Sequence, residues 1–391
     1  MRDHREKAKQ DIGRAFSPLA DAIVERVMPT WAGLGRTDFG GPADPVGALR
    51  LPGKGPVATL RVQAQMVSAR ARAATAGLAM KNAPSFPAYL ATLLAHFLSP
   101  DGEPGLAHRV RASGEVLDRR RTLEDHAWML QALADSHVAT GSGEILVVAD
   151  LILEFIDRHL ADNSTGYFED NQGCGERRQA SHARLLDAVL TLQAATGSAP
   201  YLARAASLFE LFCDRLLDRE GSGVGESFDR AWRVAPSGDG AIFCPASAAR
   251  WVVLLRRYHS ASQDSKAFEL MRDLGPRLLA GRNGQGMIVS AVNAAGAVRN
   301  TTLKLGDQLR FCAALRALEH GGELQLLERR IAAHFIDPAP MGCWCETLDA
   351  DGGSLGEPVS METLATLVSY AVEAREARVH APFLARTMYA A

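Results

Sequence analysis

The chain has 391 residues, 47% of them hydrophobic and 23% charged, with a formal net charge of −2. That is enough apolar material for one large core or two ordinary ones, and a balance without global attraction to nucleic acid or an anionic membrane. No long uncharged apolar run occurs and the start, Met1-Arg-Asp-His-Arg-Glu-Lys7, has no apolar core of a secretory signal, so a cytoplasmic chain without a membrane helix is expected.

Apolar residues recur at helical spacing in chain order near 15–28, 60–76, 87–99, 123–134, 144–160, 181–196, 200–217, 246–260, 265–280, 305–320, 323–335 and 360–376. Within 123–134, for instance, Leu123, Ala127, Leu130 and Ala134 draw one stripe down a helix. Short Gly- and Asp-rich pieces separate these segments, and the stretches Tyr167-Phe-Glu and Gly225-Glu-Ser-Phe-Asp229 suggest small hairpins. Ala-Thr-Gly closes the helices at both Gly141 and Gly197, where glycine can take the left-handed cap, and helix, cap, helix, turn recurs at roughly 56 residues. Six such hairpins closed into a ring predict an all-α fold, an (α/α)6 barrel with short β-hairpins in the mouth loops. One domain would span 1–391, with residues 1–14 as a flexible or peripheral helical start.

Six cysteines, at 174, 213, 244, 312, 343 and 345, show no CxxC spacing and are too sparse for a disulfide scaffold, so reduced thiols are expected. No ligand-spacing signature for a metal appears, and no cofactor is expected.

The ordered series Leu60-Arg-Val-Gln-Ala-Gln65, Leu123-Glu-Asp-His-Ala-Trp128, Ala180-Ser-His-Ala-Arg-Leu-Leu-Asp-Ala188, Gly225-Glu-Ser-Phe-Asp229, Lys304-Leu-Gly-Asp-Gln308 and Gly342-Cys-Trp-Cys-Glu346 resembles the motifs of the N-acylglucosamine 2-epimerase family of sugar epimerases and isomerases. The resemblance covers roughly residues 30–376 and implies a proton-transfer site built on two histidines. This sequence departs there. Ser247 stands where the family has the His of Pro-Gly-His, and Pro358-Val-Ser-Met-Glu-Thr-Leu364, where the second His falls, has only Glu362 as a titratable group. Arginines take the places of other pocket residues at Arg61, Arg184, Arg250 and Arg310, against one loss at Gln65. Buried guanidinium groups need anionic partners, and Arg matches phosphate, sulfate and carboxylate oxygens, so a small anionic ligand is implied. Pairing with Asp187, Asp307 or Glu226, or exposure to water, is the competing reading of each Arg.

His126 and His182 match family pocket histidines and, with Glu226, Glu346 and Glu362, are the acid/base candidates; hydrogen-bonded structural histidines are the alternative. The resemblance adds Gln63, Gln65, Lys304 and Gln308 as pocket residues, with Trp251 and Trp344 as candidate stacking surfaces or core, and Ser247 as a cap or a contact. Two functions follow. One is a divergent epimerase- or isomerase-like enzyme acting on an anionic metabolite by proton transfer, elimination or cyclisation. The other is a non-catalytic relative that binds such a metabolite or a partner protein. A glycoside hydrolase or lyase on the same barrel is weaker and would need Glu226 and Glu346 on facing walls. Neither nucleic acid nor membrane is expected as a partner; a homodimer or protein partner is left open.

Overall fold

The computed structural model describes residues 17–31, 57–78, 86–111, 113–162, 165–173, 175–218, 223–234, 242–293 and 295–388, so the expected start at 1–14 and Cys174 lie outside the described residues. Twelve helices fall where the apolar periodicity places them. The first, α1, runs from Pro18–Ala22 through a π-helical turn, Ile23–Val27, into Met28–Trp31. It is followed by α2 (Leu60–Thr75), α3 (Phe86–Phe97), α4 (Leu123–Thr140), α5 (Gly143–Phe155), α6 (Gln179–Thr196), α7 (Ala199–Leu211), α8 (Pro245–Ser262), α9 (Ser265–Ala280), α10 (Leu305–Ala317), α11 (Gly321–Ile331) and α12 (Met361–Met388).

Local chemistry sets their ends. Thr122 caps α4 by accepting from the Asp125 amide, and Glu124 and Asp125 in the first turn complement the helix dipole. The two predicted glycine caps are present, with φ 70° at Gly141 and 67° at Gly197. Pro245 starts α8, where a missing amide costs nothing, and Asp264 caps α9.

The even-numbered helices form the inner wall. Each packs on the next, and α12 returns to α2, which closes the ring. The odd-numbered helices pack outside them, and the core fills the space between the layers. Trp251, fully buried on α8, stacks on Phe212 of the outer layer at 4.1 Å. Trp251 is therefore core rather than a ligand surface.

Short antiparallel strands gather at the N-terminal ends of the inner helices. Strands β1 (Val57–Thr59), β2 (Arg109–Arg111) and β3 (Val116–Asp118) form one sheet, and β4 (Arg177–Arg178) pairs with β5 (Ser227–Phe228). Strands β6 (Ile242–Phe243), β7 (Ala291–Asn293) and β8 (Val298–Asn300) form another, while β9 (Leu303–Lys304) pairs with β10 (Thr347–Leu348). These strands make the barrel mouth.

Candidate functional site in the barrel lumen

Residues three and seven places apart share a helix face, so the sixth, ninth and thirteenth residues of each inner helix point the same way. Every one of those eighteen positions lines a single cavity of about 620 Å³. The ring nearest the mouth is Gln65, Trp128, Arg184, Arg250, Arg310 and Thr366. Below it lie Ser68, Gln131, Asp187, Val253, Ala313 and Ser369, and then Arg72, Asp135, Thr191, Arg257, Ala317 and Glu373. At 1.5 Å per residue the first and third rings are about 10 Å apart.

Of the arginines read from the sequence, Arg184, Arg250 and Arg310 stand side by side in the first ring. Arg184 pairs with Asp187 at 2.7 Å and lies over the Trp128 ring at 3.6 Å. Arg310 pairs with Asp307 at 2.7 Å and with Glu362 at 3.5 Å. Arg61 sits one turn nearer the mouth, outside the lumen lining, and joins Glu124 at 3.3 Å to Glu362 at 3.7 Å. Internal pairing thus holds three of the four, though for Arg61 the partners are Glu124 and Glu362 and for none of them Glu226. In all, six arginines and five carboxylates line the lumen, so its positive excess is small.

Arg250 is the exception. It donates no hydrogen bond and makes no ion pair within 4 Å among the described residues. Burial and the neighbouring Arg310 and Arg184 push its guanidinium down to about 9, against weaker help from Glu362 and Asp187. Across the ring, on α2, Gln65 is 1% exposed, and neither its amide nitrogen nor its oxygen has a hydrogen-bond partner. Buried polar groups are rarely left unsatisfied. Glu362 is ionised: burial pushes its carboxyl up, but Arg61, Arg310, Arg250 and Arg184 together bring it below the usual carboxylate range.

Most of the remaining predicted site residues lie elsewhere, and the reason is a repeated latch. In α4, α6 and α10 the fourth residue holds the loop before the helix. His126 Nε2 accepts from the Leu106 amide at 3.0 Å, while Nδ1 contacts the Thr122 carbonyl at 2.7 Å. His182 does the same between the Tyr167 amide and the Arg178 carbonyl. Beside that amide Gly166 turns at φ 69°, and a Cβ there would meet the Trp232 ring at 2.8 Å. Gln308 bonds both the amide and the carbonyl of Ile288, and Gln63 accepts from the Tyr89 hydroxyl. Both histidines are fully buried with both ring nitrogens engaged, and burial pushes each down to about 4. The expected acid/base role for His126 and His182, and pocket roles for Gln63 and Gln308, are corrected on that ground.

A second latch ties loop carboxylates to the start of the next inner helix. Glu346 accepts from Trp344 Nε1 at 2.6 Å, from the amide and hydroxyl of Ser360, and from the Thr363 hydroxyl. Glu226 accepts from Gln179 Nε2 and the Cys244 amide and bonds Ser247, whose hydroxyl also accepts from Gln179 at 2.8 Å. Neither Glu226 nor Glu346 lines the lumen, and neither do Ser247, Trp344 or the exposed Lys304. Lumen residues that the sequence reading missed include Trp128, Arg72, Asp135 and Arg257. Trp128 closes a quoted motif, and Arg72, Asp135 and Arg257 lie seven residues after Gln65, Trp128 and Arg250, which was the available signal.

A closed ring of six helical hairpins around a polar, arginine-studded lumen defines the class of (α/α)6-barrel proteins. The chain matches the N-acylglucosamine 2-epimerase (GlcNAc 2-epimerase) family over residues 57–361, and it belongs to that family. The fold is similar to the cellobiose 2-epimerase of Bacillus thermoamylovorans B4167, with TM-score 0.80 and 16% identity over 92% of this chain and 98% of that one. It is also similar to a D-mannose isomerase, with TM-score 0.80 and 18% identity over 93% and 98%. An α-1,6-mannanase of Salegentibacter sp. HEL1_6 shares the barrel at TM-score 0.62 and 12% identity, over 92% and 99%. No curated protein sequence matches the chain.

Proposed function

We propose that the lumen binds a small anionic metabolite, a phospho-, sulfo- or carboxy-compound, whose charged group is held by Arg250 between Arg184 and Arg310. The observation that carries this reading is the guanidinium of Arg250, without a hydrogen bond or ion pair among the described residues, facing across the lumen the unpartnered amide of Gln65. Arg250 is half-buried in the cavity wall, and an anion there would replace water with charge-assisted hydrogen bonds. Glu362 is the carboxylate that competes for the same arginines. Ionised and surrounded by them, it is a weak proton acceptor, and the two histidines of the family's chemistry have no counterparts in the lumen.

The reading is tested by calorimetric titration with inorganic phosphate and mannose 6-phosphate at low ionic strength. Wild type should bind both and ignore mannose, Arg250→Gln should lose at least tenfold in affinity, and Glu362→Gln should gain. Equal binding of neutral mannose, or an unchanged Arg250→Gln, would contradict the reading. The glycoside-hydrolase alternative is less favoured, because Glu226 and Glu346 are each spent on loop hydrogen bonds.

A further inference from the structure

The lumen carries a second unmatched charge, of opposite sign, in the third ring. Arginines at that depth are engaged. Arg72 pairs with Glu373 at 2.8 Å, Arg316 approaches the same carboxylate at 3.7 Å, and Arg257 bonds Asp187 and, at 2.9 Å, the Thr191 hydroxyl. Asp135 has no such partner. It is 7% exposed, and its Oδ2 accepts from the Ser68 hydroxyl at 2.5 Å and from Gln131 Nε2 at 3.1 Å. Oδ1 takes no hydrogen bond, and the carboxylate makes no ion pair, among the described residues. Carboxylates taken out of water need a counter-charge to stay ionised. Burial pushes Asp135 above the usual carboxylate range, and Arg72, committed to Glu373, offsets only part of that.

Both unmatched groups line the one cavity, Arg250 in its first ring and Asp135 in its third. Seven helical positions separate those levels, about 10 Å along the barrel axis. The second ring lies between. On the arc from α12 through α2 to α4 it presents Ser369, Ser68 and Gln131, and on the facing arc of α8 and α10 it presents Val253 and Ala313. A molecule lying between the charged ends meets hydroxyls and an amide on one side and hydrocarbon on the other.

We propose that the metabolite whose anionic group Arg250 holds, as proposed above, is a zwitterion, and that Asp135 is the site of its protonated amine. The class is an elongated amino phosphate, amino sulfonate or amino acid. Asp135 accepts the ammonium through Oδ1 while Ser68 and Gln131 hold Oδ2 in place. Two opposite charges fixed at different depths of one cavity select for length as well as for charge, since a short zwitterion reaches only one of them.

Calorimetric titration at low ionic strength with 2-aminoethyl, 4-aminobutyl and 6-aminohexyl phosphate, each beside its hydroxyl-ended twin, tests this, with hexylamine as a probe of the amine site alone. In wild type at least one of the longer amines should bind about tenfold more tightly than its twin, while the two-carbon amine should show no advantage. Asp135→Asn keeps an acceptor for Ser68 and Gln131 but removes the charge. It should bring each amine and its twin within about twofold of each other and abolish hexylamine binding, with circular dichroism unchanged. Arg250→Gln should weaken amine and twin by the same factor and leave hexylamine bound. Equal affinity of every amine and its twin in wild type, or a preference that persists in Asp135→Asn, overturns the proposal. If neither phosphate series binds while hexylamine is still held through Asp135, the anion at Arg250 is overturned and the amine site upheld, so the two readings fail separately.

Discussion

At the scale of single residues, a histidine's environment decides what it is for. His126 and His182 carry the motif resemblance, yet their rings are latches, while His108, in no motif, lines a cavity and keeps Nε2 free of hydrogen bonds among the described residues. Sequence places a histidine on a helix; it does not show which backbone amide the ring meets 15 or 20 residues away. Burial holds both latch histidines neutral down to about pH 4, whereas an unfolded chain protonates them near 6.5. The unfolded state therefore binds more protons between those values, and stability must fall as pH drops through that window, by roughly 3 kcal/mol per histidine. Chemical denaturation at pH 7.5 and pH 5 should show about 2 kcal/mol of that loss per histidine, and His126→Leu, which removes the latch outright, should lower stability at pH 7.5 and flatten its pH dependence. An unchanged midpoint at pH 5 would contradict the neutral, buried assignment.

At the scale of elements, the helices were legible and the loops were not. All twelve helices follow from apolar spacing, and both glycine caps from the Ala-Thr-Gly repeats, because those signals are local. The loop carboxylates are also visible in the sequence, and their position after Gly-rich turns invites a catalytic reading. Their partners, hydroxyls and amides at the start of the next inner helix, are 14 to 17 residues away for Glu346. Glu346→Ala should leave Ser360, Thr363 and Trp344 without their shared acceptor and cost about 2–4 kcal/mol, measured by urea denaturation. The Thr122→Ala cap deletion should cost about 1 kcal/mol, measured by urea denaturation.

At the scale of the whole molecule, closing six hairpins into a ring turns one helical periodicity into three stacked rings of side chains. The arginine exchange at Arg184, Arg250 and Arg310 was readable from the motifs, since all three are sixth residues of their helices. Of the acids that neutralise most of it, Asp187 and Asp307 stand three residues from Arg184 and Arg310 and were readable as partners, but Glu362 reaches Arg310 only through closure of the ring, so the cavity's charge balance emerged from the fold. What survives that balance is one unpaired guanidinium. If that guanidinium holds an anion, crystals of the protein grown with tungstate will show it through the anomalous signal of tungsten. Tungstate is expected in the lumen, within hydrogen-bond distance of Arg250, between Arg184 and Arg310, on the side of the ring that faces Gln65. A lumen without tungstate at millimolar concentration, with Arg250 turned onto Glu362 or Asp187 instead, would contradict it.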